Sequence, residues 1–463
     1  MAKTDDADLW LSELGLATVF AMLRDNGVTE VVYKVLPQNA NSKNQVYLAS
    51  DFSQLGKIPS GDVVAHESTS RKRGKMDAVF RSALEFYWLD RTGQPRLAPN
   101  AQLIFYPQYP EVRLSGLLQG CKNAPSALWV KEERGGTPDR ILVLGLGNKR
   151  KVIAITLPPE APAAREIRAT EPHEHYGALS MLSMPGQESG SGFLELMREL
   201  CGIHRRGWVP STRLDRGGAF VPCNASNCNG NTLESLLGIR PNGYSLPDFR
   251  GWEVKARQVS SVERPGSSTV TLFTPEPTSG FYVDAGVAEF VRRYGYPDMK
   301  GRLDRLNFGG PYRVNTPAHK QTGLRMVLEG FDPATRKFTS TGAIQLLDGK
   351  DRVASSWPFA KLMDHWKIKH AHAAFVPSQQ RILPAREYRY GRHILLGEGA
   401  EFGLLLKAVH EGRVYYDPGI KLEAVSSKRP KPKKRSQFRV ASKDLPALYE
   451  SSRIVDACAE VAR

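Results

Sequence analysis

Two carboxylates and a lysine stand close together in the run Pro247-Asp248-Phe249-Arg250-Gly251-Trp252-Glu253-Val254-Lys255. A strand alternates its side chains between two faces, so Glu253 and Lys255 share one face while Val254 turns to the other. Asp248 precedes that strand at a bend punctuated by Pro247 and Gly251, where the chain can fold its carboxylate back beside Glu253. Such a group suits phosphodiester hydrolysis. Asp248 and Glu253 offer hard oxygen ligands to Mg2+, and Lys255 can orient the attacking water and offset negative charge as it develops. Upstream, Thr232-Leu233-Glu234-Ser235-Leu236-Leu237 reads as a helical stretch from which Glu234 brings a third carboxylate to the same centre. The opposing reading is an exposed hairpin with a Glu/Lys pair on its wet face. Trp252 and Val254, which make the strand half-buried, and Pro247, which fixes the turn, favour the site.

The elements that must position these residues fall into two groups. A Gly/Ser-rich connector at residues 185–192 separates residues 1–184 from residues 193–463, each with its own core-forming runs. The first part predicts a helix over residues 11–23. Strand-like runs follow at 30–34, 45–48, 84–89, 101–106, 141–144 and 152–155, the pattern of a β-rich, barrel-like module. The second part alternates helix and strand and reads as α/β. At 463 residues the chain is long enough for two full cores.

A formal net charge of +16 and a pI of about 9.6 favour a polyanionic partner. The positive charge is concentrated in one Pro-punctuated segment holding Lys428, Arg429, Lys431, Lys433, Lys434, Arg435 and Arg439. Because it runs into the alternating Phe438-Arg439-Val440 and a helix-like stretch at 442–449, it reads as a loop inserted between ordered elements. Lys431, Lys433 and Lys434 suit phosphates, whereas Arg435, Gln437 and Arg439 suit base edges. A second basic loop, Arg71-Lys72-Arg73-Gly74-Lys75, lies between strands of the first part and is a further phosphate-binding candidate. The five cysteines, Cys121, Cys201, Cys223, Cys228 and Cys458, are irregularly spaced and point to no disulfide framework. With no secretory signal or long apolar span they imply a soluble protein of a reducing cytoplasm, with no membrane partner. Cys223 and Cys228 lack a second Cys/His pair for zinc and read as loop cysteines, and His365, His370 and His372 lack a carboxylate pattern and read as structural or DNA-facing residues.

From about Phe193 onward the chain resembles the MvaI/BcnI family of restriction endonucleases. The resemblance rests, in order, on the helix at 193–200, on Gly207-Trp208, on Gly230-Asn231-Thr232-Leu233-Glu234-Ser235-Leu236-Leu237 and on the Pro247 to Lys255 run. Thr271-Leu272-Phe273-Thr274-Pro275-Glu276-Pro277 and Gln437-Phe438-Arg439-Val440 complete it. It implies a PD-(D/E)xK nuclease with a MutH-like fold, dependent on Mg2+, acting on double-stranded DNA as a monomer that nicks one strand and then the other. Glu234, Asp248, Glu253 and Lys255 match the family's active-site positions. The stretch Lys433-Lys434-Arg435-Ser436-Gln437 departs from the His/Asp/Gly-rich pattern of the family, which leaves the target sequence open. In the first part, Lys34-Val35-Leu36-Pro37-Gln38-Asn39 followed by Gln45-Val46-Tyr47 resembles the EcoRII-type effector-binding pseudobarrel, which implies a module that binds a second DNA copy. The alternatives are a MutH-like repair or modification-dependent nickase, kept open by the departure at 433–437, and a non-catalytic basic DNA-binding protein. The last accounts for the charge but not for the ordered series of blocks.

Overall fold

A computed structural model of the chain describes residues 9–38, 43–67, 78–121, 124, 129, 137–147, 150–172, 174–185, 192–225, 227–239, 249–369 and 372–462. Asp248, Arg71, Lys72, Arg73 and His370 lie outside the described residues. The chain forms two compact units, the second running from Gly192 to the C-terminus.

The first unit is built on two sheets. Each run expected as a strand is one: Val28–Leu36, Val46–Ala49, Glu85–Leu89, Gln102–Tyr106, Arg140–Gly147 and Lys151–Leu157. The seven-stranded sheet has the order His175–Tyr176, Leu179–Leu182, Val28–Leu36, Arg140–Gly147, Lys151–Leu157, Glu85–Leu89, Pro95–Leu97. The five-stranded sheet has the order Val46–Ala49, Glu111–Ser115, Gln102–Tyr106, Ala78–Ala83, Val64–Glu67. Among the described residues neither ladder returns to its first strand, so in place of the expected barrel-like closure there are two open sheets. Arg140–Gly147 is buried on both faces, which is why it reads as a continuous apolar run rather than an alternating one, whereas Val28–Leu36 is buried on both faces only at its centre, Val31, Val32 and Tyr33. The expected first helix is interrupted: Leu9–Glu13 is a 3-10 turn and the α-helix is Leu16–Asp25, with extended Gly15 between them.

The second unit is organised around one mixed sheet. Its antiparallel path is Val209–Pro210, Glu387–Tyr390, His372–Arg381, His393–Ala400, Tyr449–Asp456, and Glu253–Gln258 joins the free edge of His372–Arg381 in parallel. The helices Gly192–Arg205 and Cys228–Leu236 pack Leu196, Met197, Leu200 and Leu233 onto the face that carries Val254, Ala374, Val376 and Leu396. Burial of these aliphatic side chains, each worth about 1.5–3 kcal/mol, fixes which face of the sheet points inward. Smaller sheets follow: Arg325–Asp332 with Lys337–Leu347 and Val353–Pro358, and Thr269–Phe273 with Phe438–Ala441 and Val414–Tyr416. A four-stranded one runs Tyr296–Pro297, Arg305–Gly309, Gly419–Glu423, Lys431–Lys433.

The cysteines depart from expectation. Cys201 is bonded to Cys458, joining the first helix of the unit to the terminal helix Ala457–Ala462, and Cys223 is bonded to Cys228 at the start of the helix that carries Glu234. Spacing could not reveal the first pair, because its partners are 257 residues apart. No helix among the described residues is long and apolar enough to cross a membrane.

Candidate active site

The strand bearing Glu253 is launched by a two-residue turn. Phe249 and Trp252 exchange both backbone hydrogen bonds, at 2.9 and 2.8 Å, around Arg250 and Gly251. Both central residues have positive φ, 46° and 91°, the conformation of a type I′ turn, which is why a glycine stands at the second of them. Arg250 is held in this conformation by Glu195, which accepts from Nη2 at 3.2 Å and pairs with Nε at 3.1 Å across to the first helix of the unit. Trp252 then packs into the core against Phe193 and the ring of His372.

The turn delivers Glu253 into a buried position. Glu253 is 2 % exposed, a placement that a carboxylate tolerates only with a charged or hydrogen-bonding partner. Lys255 is that partner: its Nζ donates to Oε1 at 2.7 Å, and its side chain is 18 % exposed. Val254 between them is in the core, as the alternation demands. The pair therefore has one buried end and one end open to solvent.

Glu234 arrives on the helix Cys228–Leu236, which packs against the Glu253 strand. Thr232 locks that helix to the neighbouring strand, accepting from the Thr212 N–H at 3.1 Å and donating to the Thr212 carbonyl at 3.0 Å. The Tyr390 hydroxyl donates to the Asn229 carbonyl at 2.9 Å, and burial, with the charges of Tyr388 and Glu234 adding to it, pushes that hydroxyl's pKa well up. Glu234 itself is half-buried. Among the described residues no group of three His, Cys, Asp or Glu side chains is placed to hold a metal ion. The donor set read from the sequence includes Asp248, immediately before the first described residue of the turn. Its chemistry is all hard oxygen, with a lysine beside it, and fits a small divalent cation rather than zinc or iron.

Residues of the basic segment are divided by the fold. Lys431 and Lys433 lie on an exposed edge strand, Lys434 and Arg435 follow them at the surface, and Lys433 pairs with Glu423 at 2.9 Å. Gln437 is only 6 % exposed, and Arg439 donates to Asp417 at 2.6 Å, so the fold turns both inward while Arg435 faces solvent. Sequence reasoning missed Lys421 and Arg305. Register places Lys421 directly across from Lys433, and Arg305 in the next row with Glu423 and Lys431. Burial first, then the charges of Arg305 and Arg302, push the Lys421 pKa down. Tyr449 was also missed: its ring lies on the sheet beside Glu253, and its hydroxyl is buried.

A mixed sheet whose edge strand carries a buried carboxylate and a lysine two residues later, flanked by a helix with a third carboxylate, has the make-up of a restriction-endonuclease-like hydrolase. Residues 197–449 match the model of the MvaI/BcnI restriction endonuclease family, and the chain belongs to that family. It is thus a type II site-specific deoxyribonuclease. Two solved structures are similar in part. One is described as restriction endonuclease MvaI in complex with its cognate DNA substrate, 19 % identical, covering 58 % of this chain and 100 % of that chain with a TM-score of 0.43. The other is MvaI in the absence of DNA, 17 % identical with the same coverage of both chains and a TM-score of 0.33. No curated protein sequence matches the chain.

Proposed function

We propose that the second unit hydrolyses phosphodiester bonds of duplex DNA with Mg2+ held by Asp248 and Glu253, and that the buried Glu253/Lys255 pair is the observation that carries this reading. The ion, when bound, supplies Lewis acidity and an activated water at neutral pH. Lys255 balances the Glu253 charge before substrate arrives. Once phosphate is bound, the same ammonium faces the incoming negative charge from the solvent side of the pair and helps to hold the attacking water in line. Glu234 contributes a third carboxylate at the rim of the centre, where it limits how the water can turn.

One such centre per chain attacks one strand per engagement. A monomer on this reading nicks first and completes the double-strand break in a second engagement. The exposed cations Lys431, Lys433, Lys434 and Arg435, with Lys421 beside them, hold the phosphate backbone. The first unit is assigned a second DNA-binding role as an effector sensor, on the strength of the likeness at residues 34–47, with Arg71, Lys72 and Arg73 as its phosphate contacts. Cytoplasmic action, where the substrate is, belongs to the same proposal.

Digestion of supercoiled plasmid in Mg2+ and in EDTA tests this. Open-circular product that precedes linear product, cut ends at one fixed sequence on both strands, and no cleavage in EDTA are expected. Direct conversion to linear in single-turnover conditions by a dimeric species would overturn the monomer pathway, and nicks confined to modified sites would favour the MutH-like alternative. A short cognate duplex should accelerate cleavage of a slow single-site plasmid; simple competition would remove the effector role.

A further inference from the structure

Tyr449 opens the strand Tyr449–Asp456, opposite Ala400, and its residue is 6 % exposed. Its ring does not stand beside the sheet but lies on it: a Cβ built on Gly397 would meet three Tyr449 ring atoms at 2.5 to 2.6 Å, so only glycine leaves room. Register explains where the ring points. Glu253 is paired with Ala373, and Ala373 with Gly397, so the three form one row across adjacent strands, with the smallest side chains between the carboxylate and the ring. Phe375, in the next row on that face, makes an edge contact with Tyr449 at 6.2 Å and holds it from the side.

The hydroxyl at the end of this ring is buried and has no hydrogen-bond partner among the described residues. Folding alone gives no reason for it, because a phenylalanine would fill the same space without leaving a buried donor unsatisfied. A phenol carries its proton at neutral pH, so the hydroxyl is a donor.

We propose that Tyr449 is a positioning residue for Glu253, its hydroxyl donating to that carboxylate when Glu253 turns from Lys255 to a divalent cation. The inference rests on the reading of Glu253 as a cation ligand. Groups that orient a ligand from behind tune affinity for the ion as well as turnover.

The test is Tyr449→Phe in the full-length protein, with Mn2+ as the probe ion, measured by isothermal titration calorimetry and by paramagnetic resonance. A Mn2+ dissociation constant raised about tenfold is expected. The melting temperature in EDTA should be unchanged or higher, and kcat for plasmid nicking at saturating Mn2+ lower, with KM for DNA unchanged. Wild-type Mn2+ affinity together with wild-type kcat overturns the proposal, and so does a marked loss of stability in EDTA, which would make the hydroxyl structural. Glu253→Gln, run in parallel, separates the two levels of argument. If that variant binds Mn2+ as the wild type does, the cation reading of Glu253 fails whatever Tyr449→Phe does.

Discussion

Lys255→Ala separates the structural role of the lysine from its chemical one. Its Nζ lies 2.7 Å from Glu253 Oε1, with side-chain exposures of 18 % and 3 %. At that separation and an effective dielectric of about 20 the attraction is about 6 kcal/mol before desolvation is subtracted. Removing one partner of such a pair costs about 3 kcal/mol, because the other charge stays buried, and the open end of Lys255 argues for the lower part of the usual range. For a unit of this size that loss lowers the melting temperature by on the order of 10 °C. A divalent ion can replace the missing positive charge. At a hundred times its dissociation constant it contributes about 2.7 kcal/mol, so most of the lost stability returns. In the wild type the same ion must first displace Lys255 from Oε1, so Mg2+ should raise the variant's melting temperature by more than the wild type's. Cleavage does not return with stability: loss of the ammonium should lower single-turnover nicking by about 10²–10⁴-fold at saturating Mg2+. Differential scanning fluorimetry in EDTA and in Mg2+, with plasmid nicking on the same samples, measures both quantities. An unchanged melting temperature in EDTA, or equal Mg2+ shifts for the two proteins, would refute the coupling of the pair. Near-native nicking would refute the catalytic role.

Neutralising Lys421, Lys431, Lys433 and Lys434 together should weaken binding to cognate and random duplexes alike. The slope of log K against log salt should become shallower by about 0.9 for each phosphate that is no longer neutralised, read by fluorescence anisotropy across a salt series of roughly 50 to 200 mM. Arg439→Ala breaks its bond to Asp417, so it should lower stability before it alters site choice; a loss of sequence discrimination at unchanged melting temperature would return Arg439 to base reading. Asp298 accepts from Asn307 and is held down to a pKa of about 2 by that bond first, with backbone N–H groups and Arg305 assisting. Its folded pKa is depressed, so its contribution is complete above the ordinary carboxylate value and is lost as pH falls towards about 2. Melting curves recorded from about pH 5 down to about pH 2 should therefore fall less steeply for Asp298→Asn than for the wild type; parallel curves would rule out this linkage.

What could be read from the chain beforehand follows the range of the interaction involved. The Glu253 strand, the Glu234 helix and six of the strands of the first unit show themselves in local periodicity, so their residue patterns identify them without knowledge of their neighbours. Ordered blocks around those elements were also sufficient to identify the family, because each block joins a local element to a chemically distinctive residue. Residues whose roles depend on register were not visible in this way. Lys421 is one more lysine in the sequence and becomes part of a cationic face only when its strand is paired with Lys433. Gln437 looks like an available polar side chain, yet the backbone bonds from Asp417 to Gln437 and from Gly419 to Arg435 draw its segment against another strand and bury it. Tyr449 depends on two successive pairings, Glu253 with Ala373 and Ala373 with Gly397, before its hydroxyl has any relation to the carboxylate. The helix expected over 442–449 shows the same limit from the other side: polar and apolar residues alternate there at helical spacing, but Pro446 removes a backbone donor and a 3-10 helix over Ser442–Leu448 results, ending where Tyr449 enters the sheet. The carboxylate and lysine can thus be found by their spacing alone, whereas the groups that orient them are found only through the pairing of strands that lie far apart in the chain.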